Sequence, residues 1–529
     1  MNLILLGFIA YLALVVVVGL ATYRLNRTGA DYLLAGRRLP TWVATFSERA
    51  SGESAWLLLG FPGAVLLTGL VEAWTAIGCV LGIGLSWWVV AGRLRRETER
   101  LGVLTLPEYF VRRFGAAGQL IRLVATAIVI FFFACYLSAQ LNGAGKILDV
   151  TFGIPHLWGM VLGTVIIVAY TVMGGFFAVA WTDLIQGILM LGTLVVLPLV
   201  AWAEVAAVGA DVGAALDRIA LVRPGVNSLV HGETGWAAVA LVVGGLSWGL
   251  GYLGQPHVLI RYMAIRSPEA VRQGRVIAFG WALLGFSGAF FIGLFGAALV
   301  DWKDLVDARQ LATQFPELAA RWSEMTAAEI PRDVLEKLIA AQVLDPERLM
   351  PFMATHLLPA LLAGIFISGA VAAMMSTADS QLLVTTSAVA EDLLHRGLKP
   401  GLDHRKMVRI SRLTALAVGV SAFLLARTSD RLIYDMVSYA WAGLGASFGP
   451  ALVLSLYWRR TTGAGVVAGM LTGSITTVLW SEIAIGGTPL NDVMTVRFVS
   501  FVLAALAVWS VSRLSEKNAP GAFFSDRVG

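Results

Sequence analysis

Phe46 to Gly60 reads FSERASGESAWLLLG, inside an apolar run from 42 to 70. It puts Glu48, Arg49 and Glu53 at membrane depth among Ala50, Ser51, Gly52, Ser54 and Ala55. A charge at a bilayer centre costs a few kcal/mol on insertion scales, so such residues face a cavity and carry function. Small residues let a helix unwind there, and unwound backbone is tolerated in a membrane only around protein or a cavity. The stretch is expected to be a discontinuous helix at a solute and cation site. The competing reading is that Glu48 and Arg49 snorkel from a helix end.

The surrounding chain sets the class. Of its 529 residues, 58% are hydrophobic and 14% charged, with mean hydropathy +0.77. Soluble domains carry about 25% charged residues, so the chain is a polytopic membrane protein. Its formal charge of +5 needs no nucleic acid to explain it. Cys79 and Cys135 both lie in apolar runs, which points to neither a disulfide framework nor a cysteine metal site. The N-terminal run lacks a basic leader and is long enough to span, so it is expected to be a retained first helix.

Apolar runs of about 20 residues give thirteen candidate spans, near 2–22, 42–70, 72–92, 119–148, 157–174, 177–203, 235–260, 274–300, 354–386, 407–427, 433–457, 462–485 and 494–513. Basic residues alternate between connections: Arg24, Arg27, Arg37 and Arg38; Arg93 to Arg113; Arg261 to Arg275; Arg396 to Lys406; Arg459 and Arg460; Arg513 and Lys517. Lys and Arg mark the cytoplasmic face, so the N-terminus is expected outside and the C-terminus inside. The loop 301–353 has ten acidic residues against six basic ones and reads as an external cap or gate of short helices broken by Pro316, Pro331 and Pro346. Residues 1–515 thus form one transmembrane domain, and 516–529 a short cytoplasmic tail.

Four more segments interrupt their runs. Tyr136, Ser138, Gln140 and Asn142 put polar groups on more than one face, with interhelical hydrogen bonding as the alternative. Asp183 is a lone carboxylate, explained as a cation ligand or ion-pair partner. In LSWGLGYLGQPH, 246–257, Gly249, Gly251, Gly254 and Pro256 oppose an intact helix. Trp248 and Tyr252 lie there inside the span, which favours a solute pocket over an interfacial aromatic belt. Ser376, Thr377, Asp379 and Ser380 gather oxygens within about one turn, and hard cations take oxygen ligands. Nucleotide loops, zinc spacing and a Ser-His-Asp order are absent from the sequence; His257 reads as a packing or hydrogen-bonding histidine.

In order, DYLLAGRRLP, SAWLLLGFPGAV, AGRLRRETE, LTLPEYFVRRF, GGFFAVAWTDLIQ, WGLGYLGQPHVLIRYMA, MMSTADSQLLVTTSAVAEDL and VSYAWAGLGASFGP resemble the sodium:solute symporter family, most closely its bacterial sodium/proline symporters. The resemblance runs from about residue 5 to 512 and implies an all-α, thirteen-helix form of the LeuT-type fold, two inverted five-helix repeats after an extra first helix. It implies a main Na⁺ site from the carbonyls of Ala50, Glu53 and Ala373 and the hydroxyls of Ser376 and Thr377. It implies a proline site at Ser54, Trp56, Tyr136, Trp248, Tyr252 and Pro256. Asp183 matches a carboxylate used near the sodium path or at a second sodium, and Arg37 a cytoplasmic arginine.

The departure is local. Proline symporters resemble S-A-G-A-S-D-M-S-G-W where this chain reads SERASGESAW. Gly52 stands at the aspartate position, Glu53 follows it, Glu48-Arg49 replace small residues, and Asp379 replaces a serine. A second cation or ion-pair site of Asp183, Asp379, Ser380 and Arg49 is therefore expected, with Arg49 pairing to Asp183 or Glu53 and Asp183 the favoured partner. The functional expectation is a secondary symporter, not an enzyme, importing proline or a similar zwitterion with Na⁺ across a bacterial-type inner membrane. A proton-coupled symporter of another small organic solute is the alternative. A solute sensor is disfavoured by the lack of an output module, and a channel by aromatic closure. The expected partners are the solute and the bilayer, without nucleic acid or an obligate protein partner.

Overall fold

A computed structural model describes residues 3–23, 34–325, 330–341, 343–398, 404–429 and 431–516. The basic residues Arg24, Arg27 and Lys399 and the tail beyond 516 lie outside the described residues. The described residues are almost entirely helical, with one two-stranded antiparallel hairpin, Ala484–Ile485 against Thr488–Pro489. Among the described residues nine helices are long and apolar enough to cross a membrane, ten if one bent pair is a single span. That is fewer than the thirteen expected crossings. The stretch Thr41–Arg100 counts once there although it covers two expected spans and turns at Gly69 (φ 71°), and Leu3–Gly19 and His156–Ala169 are shorter apolar helices.

Two helices are interrupted, as their composition predicts. The first starts at Thr41 after Pro40 and runs to Ala55. It breaks at Ser54, whose φ of 48° and ψ of −169° place a non-glycine residue in a sparsely populated region costing about 1–3 kcal/mol. A π-helical turn, Trp56–Gly60, follows, then the helix Phe61–Thr68 with Pro62 in its first turn. The second comprises Gly235–Leu246, a short turn Trp248–Gly251 and Pro256–Ala264, with its two arms bent by 45°. Pro256 opens the second arm, where its missing N–H leaves no bond unmade.

The glycines of the second interrupted helix serve close packing. A Cβ on Gly251 would lie 1.9 Å from Trp441 Nε1, one on Gly254 2.4 Å from Gly449 N, and one on Gly249 2.3 Å from Gly78 O. Small residues let backbones meet this closely in membrane bundles. The interrupted helix is thereby clamped between Ala73–Leu85 and Ile433–Tyr457. The first interrupted helix packs on the run His156–Ala207, two helices joined across a break at Gly175 (φ 69°, ψ 169°), and on Ala360–Ser387.

Two span boundaries differ from expectation. The expected 354–386 divides into Leu349–Leu357 and Ala360–Ser387 because Pro359 caps the second piece. The expected 462–485 ends at Trp480, since Gly486 and Gly487 take positive φ in the hairpin turn. Residues 301–353 do form short helices, at Ala308–Gln314, Pro316–Arg321 and Arg332–Ala340. These bury their own cluster of Val306, Leu311, Ile330, Leu335, Leu338, Val343 and Leu344.

Candidate functional site

The charges of the opening stretch are completely buried. Because the helix persists through Glu53 and breaks only at Ser54, Arg49 and Glu53 keep the one-turn spacing that lets i and i+4 side chains meet. Arg49 Nη1 donates to Glu53 Oε1 at 2.5 Å. Its Nε donates to Glu48 Oε2 at 2.6 Å, and its Nη2 to Glu48 Oε1. Glu48 also accepts from Trp87 Nε1 and Tyr262 Oη, both at 3.2 Å. Glu53 Oε2 accepts from Tyr252 Oη at 3.0 Å. The snorkelling alternative fails, and so does the pairing of Arg49 with Asp183. Helical geometry continues through Gly52, and the break lies beyond Glu53. A Cβ on Gly52 would make ordinary van der Waals contact with Val258 at 3.5 Å and with Arg49 Nη2 at 3.7 Å, so the helix passes Gly52 without crowding the guanidinium.

Asp183 is paired instead with Arg261, a residue that the basic-loop count assigned to a cytoplasmic connection. Arg261 is 1% exposed. Its Nη2 donates to Asp183 Oδ2 at 3.0 Å, to Ser51 Oγ at 2.8 Å and to Ser380 Oγ, and its Nε donates to Ser47 Oγ at 3.1 Å. Ser47 and Ser51 also donate to Asp183, at 2.6 and 3.1 Å. Ser380 Oγ donates to Asp379 Oδ1 at 3.1 Å. Asp183 Oδ1 and Asp379 Oδ2 are buried without a hydrogen-bond partner among the described residues. Asp183, Asp379 and Ser380 thus come together, while Arg49 lies elsewhere and Arg261 takes its expected place. The second arm of the interrupted helix turns back into the bundle and carries Arg261 with it.

One turn away, Ser376 Oγ donates to Ala50 O at 2.9 Å and Ala373 O at 3.1 Å, and Thr377 Oγ1 donates to Ser51 O at 3.0 Å. These atoms form a buried oxygen cluster bridging the first interrupted helix and Ala360–Ser387. Hydroxyl and carbonyl oxygens are the donors a hard monovalent cation takes, so the set fits Na⁺. Glu53 O accepts from Trp56 N at the helix break.

Ser54, Trp56, Tyr136, Trp248 and Tyr252 also gather around the breaks. Trp56 and Trp248 stack with centroids 4.4 Å apart and planes 9° apart. Tyr136 Oη donates to Ser54 Oγ at 3.3 Å. The freed N–H of Ala55 goes to Gln140 Oε1 at 3.0 Å, and the N–H of Trp56, bonded to Glu53 O, also reaches Ser54 Oγ at 3.3 Å. Pro256 is buried at the second break, where Gln255 Nε2 donates to Trp441 O at 3.0 Å. Trp441 also holds the break by donating from Nε1 to Trp248 O at 3.0 Å, and it lies edge-on to Tyr252 at 4.7 Å. Arg497 covers the Trp248 ring at 4.6 Å. The role of Trp441 was not drawn from the sequence, although it is an indole inside the glycine-rich run WAGLGASFGP. His257 packs edge-on against Phe133 and Tyr136.

Arg37 is spent on local structure. It donates to Met263 O at 3.0 Å, Thr98 O at 2.9 Å and Val103 O at 2.6 Å, tying the entry to the first interrupted helix to the end of the second. Burial, with Arg95 nearby, brings its guanidinium down to about 10.

Residues 32–473 match the profile of the family described as "SSF: Sodium:solute symporter family". A sodium/proline symporter of Haemophilus influenzae is 34% identical over 519 residues, 97% of this chain and 95% of that one. The high-affinity proline transporter PutP of Bacillus subtilis is 34% identical over 500 residues, 94% and 95% of the two chains. The sodium/proline symporter of Escherichia coli is 33% identical, covering 90% and 88%. A Na⁺-coupled sialic acid symporter in a substrate-bound outward-open state aligns over 99% of both chains at 18% identity with a TM-score of 0.71, which establishes the shared fold.

Proposed function

Since this chain belongs to the sodium:solute symporter family, we propose that it is a secondary active symporter importing proline or a similar small zwitterion with Na⁺. The observation that carries this reading is the oxygen cluster joining Ser376 and Thr377 to Ala50 and Ser51 directly beside the broken backbone at Ser54. In this proposal the carbonyls of Ala50, Glu53 and Ala373 and the hydroxyls of Ser376 and Thr377 hold Na⁺, which supplies a positive charge that ties the two helices together. Ser54, Trp56, Tyr136, Trp248, Tyr252 and Pro256 line the solute site.

The chemistry of the chain is then positional. The hydroxyls of Ser376 and Thr377 donate to carbonyls of the first interrupted helix; their oxygen lone pairs are free to turn to a cation. The aromatic rings contact one another, so a solute binds only by parting them, and their closure separates it from water. Movement of the interrupted helices against Ala360–Ser387 would open the site to one side at a time, the alternating access of repeat-built transporters. In this reading, which the basic residues of the connections support, the C-terminus is cytoplasmic and residues 301–353 lie outside.

The test is uptake of labelled proline into proteoliposomes with Na⁺ and pH gradients imposed separately. Uptake driven by an inward Na⁺ gradient is the expected result. Uptake driven by the proton gradient alone makes the carrier proton-coupled, and no uptake under either gradient removes proline as the solute.

A further inference from the structure

We propose that the carboxylate of Glu53 is the counter-charge to a positively charged nitrogen on the transported solute. The inference deepens the proposed zwitterion reading and rests on it.

Two carboxylates share one guanidinium. Glu48 takes the two-pronged side of Arg49 and also accepts from Trp87 and Tyr262. A carboxylate offers about four lone-pair sites, and these four donors fill them. A two-pronged Arg–carboxylate pair is the stronger arrangement, so Glu48 claims the guanidinium charge. Glu53 receives one Arg49 N–H and the Tyr252 hydroxyl. With both carboxylates ionised the trio carries one negative charge, and Glu53 has unused acceptor capacity. All three side chains are fully buried, where an uncompensated charge costs several kcal/mol.

The surplus charge sits at the hydroxyl end of Tyr252, whose ring contacts Trp441 and, through it, Tyr136. A complementary deficit lies in the neighbouring ring group, joined to the first where Trp441 Nε1 donates to Trp248 O at 3.0 Å. The indole N–H groups of Trp56 and Trp248 are buried and have no acceptor among the described residues. A molecule with a cationic nitrogen at one end and a carboxylate at the other satisfies Glu53 and the indoles together. A neutral polyol satisfies only the indoles, and an inorganic cation only Glu53.

The test measures binding to the purified full-length chain in Na⁺ by calorimetry, with four probes. Proline, glycine betaine and prolinamide carry a cationic nitrogen; tetrahydrofuran-2-carboxylate keeps the ring and carboxylate of proline with oxygen in place of nitrogen. A site built around a polar partner rejects the analogue lacking it strongly. The wild type should therefore prefer proline over the oxygen analogue by about 100-fold or more. In Glu53→Gln that preference should fall at least about tenfold through weaker proline binding alone, and Glu53→Asp should recover part of it. A purely structural role would weaken both ligands equally. The inference is overturned if the wild type binds the two within about threefold, if Glu53→Gln keeps the preference, or if none of the cationic probes binds. Binding of glycine betaine or prolinamide without proline overturns the proline reading and leaves the role of Glu53 standing. Where Glu53→Gln does not fold, Glu53→Asp carries the comparison, and the wild-type preference can still overturn the inference.

Discussion

Trp56 and Trp248 come from the two different interrupted helices and lie face to face, 4.4 Å between centroids. Arg497 covers Trp248 at 4.6 Å, and Tyr434 meets its edge at 5.3 Å. The stack joins the two breaks, so any movement that parts the helices has to separate these rings. Stacked aromatic pairs contribute about 0.5–1.5 kcal/mol beyond area burial.

Replacing Trp248 with Ala removes one half of that stack and one wall of the proposed solute site. A buried apolar contact contributes roughly 25 cal/mol per Å², and a loss of ~1.4 kcal/mol weakens binding tenfold. Trp248→Ala should therefore bind proline at least about tenfold less tightly while its expression stays normal. Wild-type affinity in that variant removes Trp248 from the solute site.

Thr377→Val keeps the shape of the side chain and deletes the hydroxyl that reaches Ser51 O. If Na⁺ uses that oxygen, the Na⁺ concentration for half-maximal uptake should rise by about tenfold. Thermal denaturation in detergent should change little, since one hydrogen bond contributes about 0.5–1.5 kcal/mol net. An unchanged Na⁺ requirement places the ion elsewhere.

These sites differ in how far they could be read from residues alone. The interruptions were legible because glycine, proline and small polar residues oppose a helix in an apolar run. The grouping of Ser376 and Thr377 was legible from their spacing. Arg261 was not, since an arginine late in a span looks the same whether its arm leaves the bundle or turns back into it. Its apolar neighbours on both sides, in VLIRYMA, were the available signal. The partner of Arg49 turned on whether helical geometry ends before or after Glu53, a difference of one or two residues that composition does not resolve. Trp441 and Arg497 act across long sequence separations, and neither carries a local mark of that role.

The trio Glu48–Arg49–Glu53 makes a stability prediction. Breaking a buried ion pair from one side costs about 3–5 kcal/mol because it strands the other charge. Arg49→Met leaves two buried carboxylates facing each other across a methionine, and its melting temperature should fall sharply. The triple variant Glu48→Gln, Arg49→Met, Glu53→Gln removes all three charges and should recover most of the loss. A single variant as stable as wild type would show that the three charges are not coupled in the folded chain.

Arg261 and Asp183 give the sharpest test of the second charged group. The guanidinium engages Ser47, Ser51, Asp183 and Ser380, oxygens that a mobile cation could otherwise take. Removing it by Arg261→Gln leaves Asp183 and Asp379 buried together without the positive charge, and each already has one unpartnered oxygen. A second cation should then be drawn in, raising the apparent Hill coefficient for Na⁺ activation above the wild-type value. Adding Asp183→Asn to that variant removes the attraction and should return the coefficient toward wild type. The same pair of substitutions forms a stability cycle, in which contacting charged residues show coupling of about 0.5–3 kcal/mol. An unchanged Hill coefficient in Arg261→Gln, together with zero coupling in the cycle, would mean that this guanidinium neither pairs with Asp183 in the working transporter nor competes with a cation.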